Sequence, residues 1–223
     1  VELADRLCRL TPGDFPKMTM LANSGVEAVE NAVKVSKHYT GRHGVIAFDC
    51  AFHGRTLVGM SLTSKVRPYK LGFGPFAPEV YRLPYAYCYR CPMGLNYPSC
   101  GVACASALED FFINHAAAES IACLIVEPIA GEGGFVTPPP EYFPKLAAVC
   151  KKHGIVFISD EIQSGMARTG KYLAIEHWGV EPDVVTLAKS LAAGMPLSAV
   201  VGRSEIMDSP QIGGLGGTYG GNP

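Results

Sequence analysis

Two residues with reactive side chains follow apolar runs. Lys189 comes after Val184-Val185-Thr186-Leu187-Ala188, and Asp160 after Ile155-Val156-Phe157-Ile158-Ser159. A desolvated lysine loses its proton readily and becomes an amine nucleophile able to form a Schiff base. A carboxylate in the same setting pairs with a buried cation, such as a protonated heterocycle nitrogen. Asn23-Ser24-Gly25-Val26 reads as the start of a helix. Free N–H groups and the helix dipole favour a phosphate there, and Gly25 lets a ligand approach the backbone. Phe52-His53-Gly54-Arg55-Thr56 sets an aromatic beside a basic residue, and Glu127-Pro128-Ile129-Ala130-Gly131-Glu132-Gly133-Gly134 sets carboxylates among glycines. Each piece also has an ordinary reading: a capped helix, a solvated acid, a lysine snorkelling at the surface.

The elements that must position these residues alternate between strand and helix. Leu3, Leu7 and Leu10 share one face of a helix over 1–10, and Thr11-Pro12-Gly13 ends it. A short strand is predicted at 17–21. Ser24 and Glu27, three apart as in a capping box, open a helix that runs to about Tyr39 with Gly41 as its cap. Strands follow at 45–48, 121–126, 155–158, 184–187 and 198–201, and helices at 56–62, 105–115 and 141–153. Residues 65–104 lack periodicity and read as one long ordered loop. The strands show no polar face, which predicts an α/β fold: a mostly parallel sheet with helices on both faces. In such sheets ligands bind beyond the carboxyl ends of the strands, where the residues above are gathered.

An anion site, a ring-nitrogen partner and an amine nucleophile together describe a pocket for pyridoxal phosphate. Five motifs then carry a resemblance. Residues 23–34 (Asn-Ser-Gly-Val-Glu-Ala-Val-Glu-Asn-Ala-Val-Lys), 52–56, 127–134, 160–165 (Asp-Glu-Ile-Gln-Ser-Gly) and 188–190 (Ala-Lys-Ser) resemble, in order and spacing, the class III aminotransferases, and most closely the 4-aminobutyrate aminotransferases. The resemblance runs through the whole chain. It implies the large domain of the fold-type I pyridoxal-phosphate transferases over 1–223, with the first N-terminal segment and the small C-terminal domain lying outside it.

By that resemblance, Lys189 carries the cofactor as a Schiff base and moves the proton, and Asp160 pairs with the pyridine nitrogen. Gln163 bonds the ring's phenolic oxygen, while Ile162 and Phe52 pack on its two faces. Ser24, Gly25 and the Val26 backbone hold the phosphate. Arg55 takes the substrate's distal carboxylate through its guanidinium fork. Glu132 is the acid that masks a second substrate arginine. Thr218 serves the phosphate of a neighbouring subunit, which implies a homodimer. The implied reaction moves the amino group of a 4-aminobutyrate-like donor to 2-oxoglutarate. Racemases and epimerases occur in the same family, so that outcome stays open.

The other conspicuous residues have plainer roles. His53 reads as a supporting hydrogen-bond partner, His153 as a cation at a helix C-terminus, and Trp178 and the tyrosines of 81–97 as packing. Glu127 is either a hydrogen-bonding group near the cofactor or only a strand-end acid. Cys88, Cys91, Cys100 and Cys104 are spaced C-x2-C-x8-C-x3-C, which admits zinc or an iron–sulfur cluster in a non-catalytic domain. The second pair is looser than most metal knuckles and the stretch has no histidine, so no metal is assigned. Cys123 and Cys150 sit in apolar runs as buried free thiols do, and a cytoplasmic location is expected.

Composition bounds the rest. With 19 Lys and Arg against 20 Asp and Glu, the net charge of −1 supplies no field for nucleic acid or an anionic membrane. No apolar run reaches 18 residues, so no membrane span is expected. The start at Val1 and the stop at Pro223 read as cut edges of a larger enzyme.

Overall fold

In the computed structural model residues 1–222 are described; Pro223, the last residue of the expected domain, lies outside them. Seven strands form one sheet: β1 (Lys17–Ala22), β2 (Gly44–Phe48), β3 (Val80–Leu83), β4 (Ile121–Val126), β5 (Val156–Asp160), β6 (Val184–Leu187) and β7 (Ser198–Arg203). Their spatial order is β1-β7-β6-β5-β4-β2-β3. Six strands run parallel, and β7 alone runs antiparallel, between β1 and β6. The mostly parallel sheet is therefore as expected. Strand β7 reverses because residues 188–197 turn back on β6 instead of crossing over through a helix.

Helices cover both faces. Those named here are α1 (Glu2–Leu10), α2 (Gly25–Thr40), α3 (Leu57–Leu62), α4 (Ala103–Asn114), α5 (Tyr142–His153) and α6 (Ser204–Met207). On one face Val29, Val33 and Val35 of α2 pack with Leu62, Ile125, Ile158, Val200 and Ile206. On the other, Leu7, Leu108, Phe111, Phe143 and Leu146 pack with Ile46, Leu124 and Phe157. Strands β2, β4, β5 and β6 are buried at every residue, which is why their sequences show no alternation. Edge-to-face aromatics fill the second layer, Phe48 on Tyr85 and on Tyr142 at 6.2 Å, and Phe143 on Trp178 at 4.9 Å. Trp178 is thus packing, as expected. The expected helical stripe fails at Leu10, which ends α1 half exposed.

Residues 65–104 are not one loop. They contain β3, which pairs in parallel with β2 at the sheet edge, and the first two residues of α4. Strand β3 escapes a sequence reading because Arg82 interrupts Val-Tyr-Arg-Leu. The Arg82 guanidinium donates to the carbonyls of Phe48, Ser61, Leu62 and Thr63 at 2.8–3.1 Å. It ties the end of β2 to the end of α3. Among the described residues no helix is long and apolar enough to cross a membrane.

Candidate active site

The carboxyl ends of β1, β2, β4, β5 and β6 border one cavity of about 460 Å³. Ser24, Gly25, Val26, Phe52, Arg55, Asp160, Ile162, Gln163 and Lys189 all line it, together with His53 and Glu127. Nine of the eleven expected site residues are therefore brought together. The other two lie elsewhere. Glu132 borders an adjoining cavity of about 340 Å³ that shares Phe52 with the first. Thr218 is exposed in the terminal turns and lines neither.

Asp160 is the last residue of β5 and is closed to solvent. Its Oδ1 accepts from the Thr186 hydroxyl at 3.0 Å and from the Ile162 N–H at 3.2 Å. Its Oδ2 lies 2.7 Å from Nδ1 of His53, whose Nε2 has no hydrogen-bond partner. His53 is held in turn by its own N–H, which donates to Thr63 Oγ1 at 3.0 Å. So His53 takes the supporting place expected of it.

Glu127 settles between its two readings: both oxygens serve backbone groups at the cavity wall. Oε1 accepts from the Phe52 N–H at 2.8 Å and Oε2 from the Gly131 N–H at 2.9 Å. Burial pushes its carboxyl above the usual range, with His53 opposing and Asp160 adding to the rise. These bonds join the loop after β2 to the loop after β4.

At α2 the N-terminus holds an anion of its own. Ser24 caps the helix, its Oγ donates to Glu27 Oε2 at 2.9 Å, and the N–H groups of Ser24 and Asn23 donate to the same oxygen at 2.6 and 3.1 Å. Burial raises the Glu27 carboxyl, but these bonds outweigh it and leave it below the usual range. Ser24 lines the cavity with its hydroxyl engaged by the capping box, and the N–H groups of Gly25 and Val26 beside it are open. Gly25 is needed for a reason the sequence did not disclose. A Cβ there would stand 3.0 Å from Ile162 Cδ1, so the glycine lets Ile162 lean over the helix start. Val26 seats the neighbouring loop, since its Cγ2 fills the space beside Gly54 and Gly59.

Lys189 opens the turn between β6 and β7 with φ +47°, in the left-handed region. Contrary to the expected desolvation, it is exposed, because the turn carries it out of the sheet and over the cavity. Its Nζ donates to Gln163 Oε1 at 2.5 Å. Gly131 backs this contact: a Cβ there would lie 2.7 Å from the Gln163 amide. Phe52 and Ile162, both half-buried, flank the cavity.

Sequence reasoning missed Tyr69, Thr186 and Gly131. Thr186 sits inside an apolar strand, where its β-branched shape hid its hydroxyl. The cysteines Cys88, Cys91, Cys100 and Cys104 do converge, around a pocket of about 20 Å³. All eight cysteines are free, and burial raises the Cys104 thiol to about 11. Among the described residues no group of three or more His, Cys, Asp or Glu is arranged to hold a metal ion.

The family model for class III aminotransferases (Aminotransferase class-III) matches residues 1–223. The chain belongs to the class III aminotransferases. It is 54% identical over 223 residues to a probable 4-aminobutyrate aminotransferase of Bacillus subtilis, covering all of this chain and 51% of that protein. An (S)-enantioselective omega-transaminase from Thermomicrobium roseum superposes with a TM-score of 0.91 at 34% identity, over 99% of this chain and 51% of that one. An amine transaminase from an uncultivated Pseudomonas species, solved with pyridoxal phosphate bound, gives 0.89 at 30% identity, over 99% of this chain and 52% of that one. This class III aminotransferase chain thus spans about half the length of the relatives it matches.

The cavity of this class III aminotransferase fits pyridoxal phosphate on its own chemistry. It offers two first-turn N–H groups for a phosphate, a buried carboxylate for a ring nitrogen, two apolar side chains for a planar ring and an amine for an aldehyde carbon.

Proposed function

We propose that this chain is the cofactor-binding part of a pyridoxal-phosphate aminotransferase that takes the amino group of a 4-aminobutyrate-like donor and passes it to 2-oxoglutarate. The observation that carries the reading is the meeting of Asp160, Lys189 with Gln163, and the open N–H groups of Gly25 and Val26 around one cavity. Pyridoxal phosphate, when bound, supplies an electron sink for a broken C–H bond.

The chain's own residues do the rest. Gly25 and Val26 donate to the phosphate with the dipole of α2 behind them. The Asp160 carboxylate accepts the ring N–H and stabilises the charge that grows there, and His53 and Thr186 keep it aimed. Phe52 and Ile162 hold the ring flat between them. Lys189 Nζ would be the base that takes and holds the proton of the donor carbon, and Gln163, whose Oε1 accepts from that amine, keeps it in position over the cavity. Arg55 binds the donor's distal carboxylate, and Glu132 answers a second substrate arginine. Thr218 reaches the phosphate site of a second subunit in a homodimer.

The 4-aminobutyrate donor is supported by the Bacillus subtilis relative, and the relatives matched are aminotransferases, which leaves racemisation without support. The test is borohydride reduction in the presence of pyridoxal phosphate, followed by peptide mass spectrometry, with glutamate formation from 4-aminobutyrate and 2-oxoglutarate assayed in parallel. A cofactor-sized mass on the peptide bearing Lys189, absent in Lys189→Ala, is expected. No modified lysine, or D-isomer formation from an L-amino acid without amine transfer, overturns the reading.

A further inference from the structure

Tyr69 stands between the two charged side chains at the mouth of the site. Its hydroxyl donates to Glu132 Oε2 at 3.1 Å. The Arg55 guanidinium carbon lies over its ring, 5.1 Å from the centroid. Its ring meets Phe52 edge-on, with centroids 4.9 Å apart at 64°. One side chain therefore touches the ring-stacking residue, the carboxylate-binding residue and the acid.

An exposed guanidinium and an exposed carboxylate that share a neighbour are free to swing together and neutralise each other. Here they do not. Among the described residues Arg55 forms no ion pair, and the proton donated to Glu132 comes from the phenol instead. The hydrogen bond to Glu132 pushes the Tyr69 phenol above its usual range, so at neutral pH the hydroxyl keeps its proton. The cation–π contact holds the guanidinium on the ring face and leaves its fork of N–H donors open.

We infer that Tyr69 is a specificity-determining residue: it holds Glu132 through its hydroxyl and Arg55 against its ring, so that the guanidinium stays unpaired and open to an amine donor carrying a distal carboxylate. This rests on the reading of Arg55 as the ligand for that carboxylate. It also separates donors by class, since an amine without a carboxylate draws nothing from the arrangement.

The experiment compares donors and binding in the holoenzyme. Tyr69→Phe keeps the ring under Arg55 and frees Glu132 to compete for it. A surface ion pair of up to about 1 kcal/mol corresponds to roughly a fivefold effect. We expect KM for 4-aminobutyrate to rise by about that factor while KM for butylamine does not move, and the loss to fall on KM rather than on kcat. Glutarate affinity, read by calorimetry, falls by the same factor. Adding Glu132→Gln to Tyr69→Phe restores glutarate binding, because the competing carboxylate is gone. Equal losses with both amines, or no rescue by Glu132→Gln, overturn the inference. Arg55→Gln separates the two levels. If it leaves glutarate binding intact, the Arg55 reading fails. If it weakens glutarate and Tyr69→Phe does not, only the role of Tyr69 fails.

Discussion

Nδ1 of His53 lies 2.7 Å from Oδ2 of Asp160, and both side chains are closed to solvent. That contact fixes the imidazole and leaves Asp160 with no oxygen lacking a protein partner, since Oδ1 already accepts from Thr186 and Ile162. A carboxylate so held cannot turn away from a ligand above it, and preorganisation of this kind is what makes a buried charge effective.

Removing the support should loosen the carboxylate. His53→Phe leaves Oδ2 without its partner, and a buried polar group so orphaned costs about 1–3 kcal/mol. The expected outcome is a lower Tm and a weaker pyridoxal-phosphate affinity, read by fluorescence titration. Thr186→Val, nearly isosteric, should lower the affinity through the other oxygen with a smaller change in Tm. Unchanged affinity in both would show that Asp160 needs neither.

Gly131→Ala probes the Lys189–Gln163 contact from behind. The new Cβ would lie 2.7 Å from the Gln163 amide and must displace it. Because the displaced atoms end a flexible side chain, the fold should survive with a Tm loss of about 1–2 kcal/mol equivalent. The rate of cofactor attachment to Lys189 should fall more than the Tm suggests. An attachment rate equal to that of the parent protein would rule out an orienting role for Gln163.

Glu127 makes a pH prediction. Its carboxyl is raised by burial above the unfolded value of 4.5. As pH climbs from there, the unfolded chain gives up this proton before the folded one does. The stability that Glu127 contributes is therefore full below about 4.5 and declines through the raised folded value. Glu127→Gln does not titrate at this position. The stability of the parent relative to that variant should shrink with rising pH by about 1.4 kcal/mol for each unit of the upward shift. Urea unfolding between acid and neutral pH measures it, and a difference that grows with pH contradicts the prediction.

Ser24→Ala removes the cap of α2 and one partner of Glu27. A loss of about 1 kcal/mol is expected, with phosphate affinity little changed because Gly25 and Val26 supply the open donors. A collapse of phosphate affinity at unchanged Tm would instead assign the hydroxyl to the ligand.

Much of this site was legible because strands buried on both faces announce themselves as apolar runs, and the residue after each run is already at the ligand edge. Asp160, Lys189, Phe52 and Gly25 follow from that rule alone. The helix caps were equally local, with Ser24, Glu27 and Gly41 acting within a few positions of one another. What stayed hidden depends on partners far along the chain. Strand β3 exists because Arg82 finds four carbonyls from two other segments. Tyr69 matters because Phe52, Arg55 and Glu132 arrive around it from two other loops. The capping pattern was visible, yet not that Glu27 would take up the Ser24 hydroxyl expected to hold a ligand.

The lone antiparallel strand has a metrical consequence. Strand β7 enters the ligand edge by its first residue, Ser198, so it sends no outgoing loop into the cavity between its neighbours. It works as a spacer. Strands β1 and β6 are thereby set two inter-strand steps apart, about 10 Å, and the helix start leans back across the end of β7 until a Cβ on Gly25 would stand 3.5 Å from that of Ala188, beside the lysine. The interval between the strands is written in main-chain hydrogen bonds and not in side chains, so substitutions within the cavity can alter what is gripped there while the strand ends that carry the anion site and the amine stay in place.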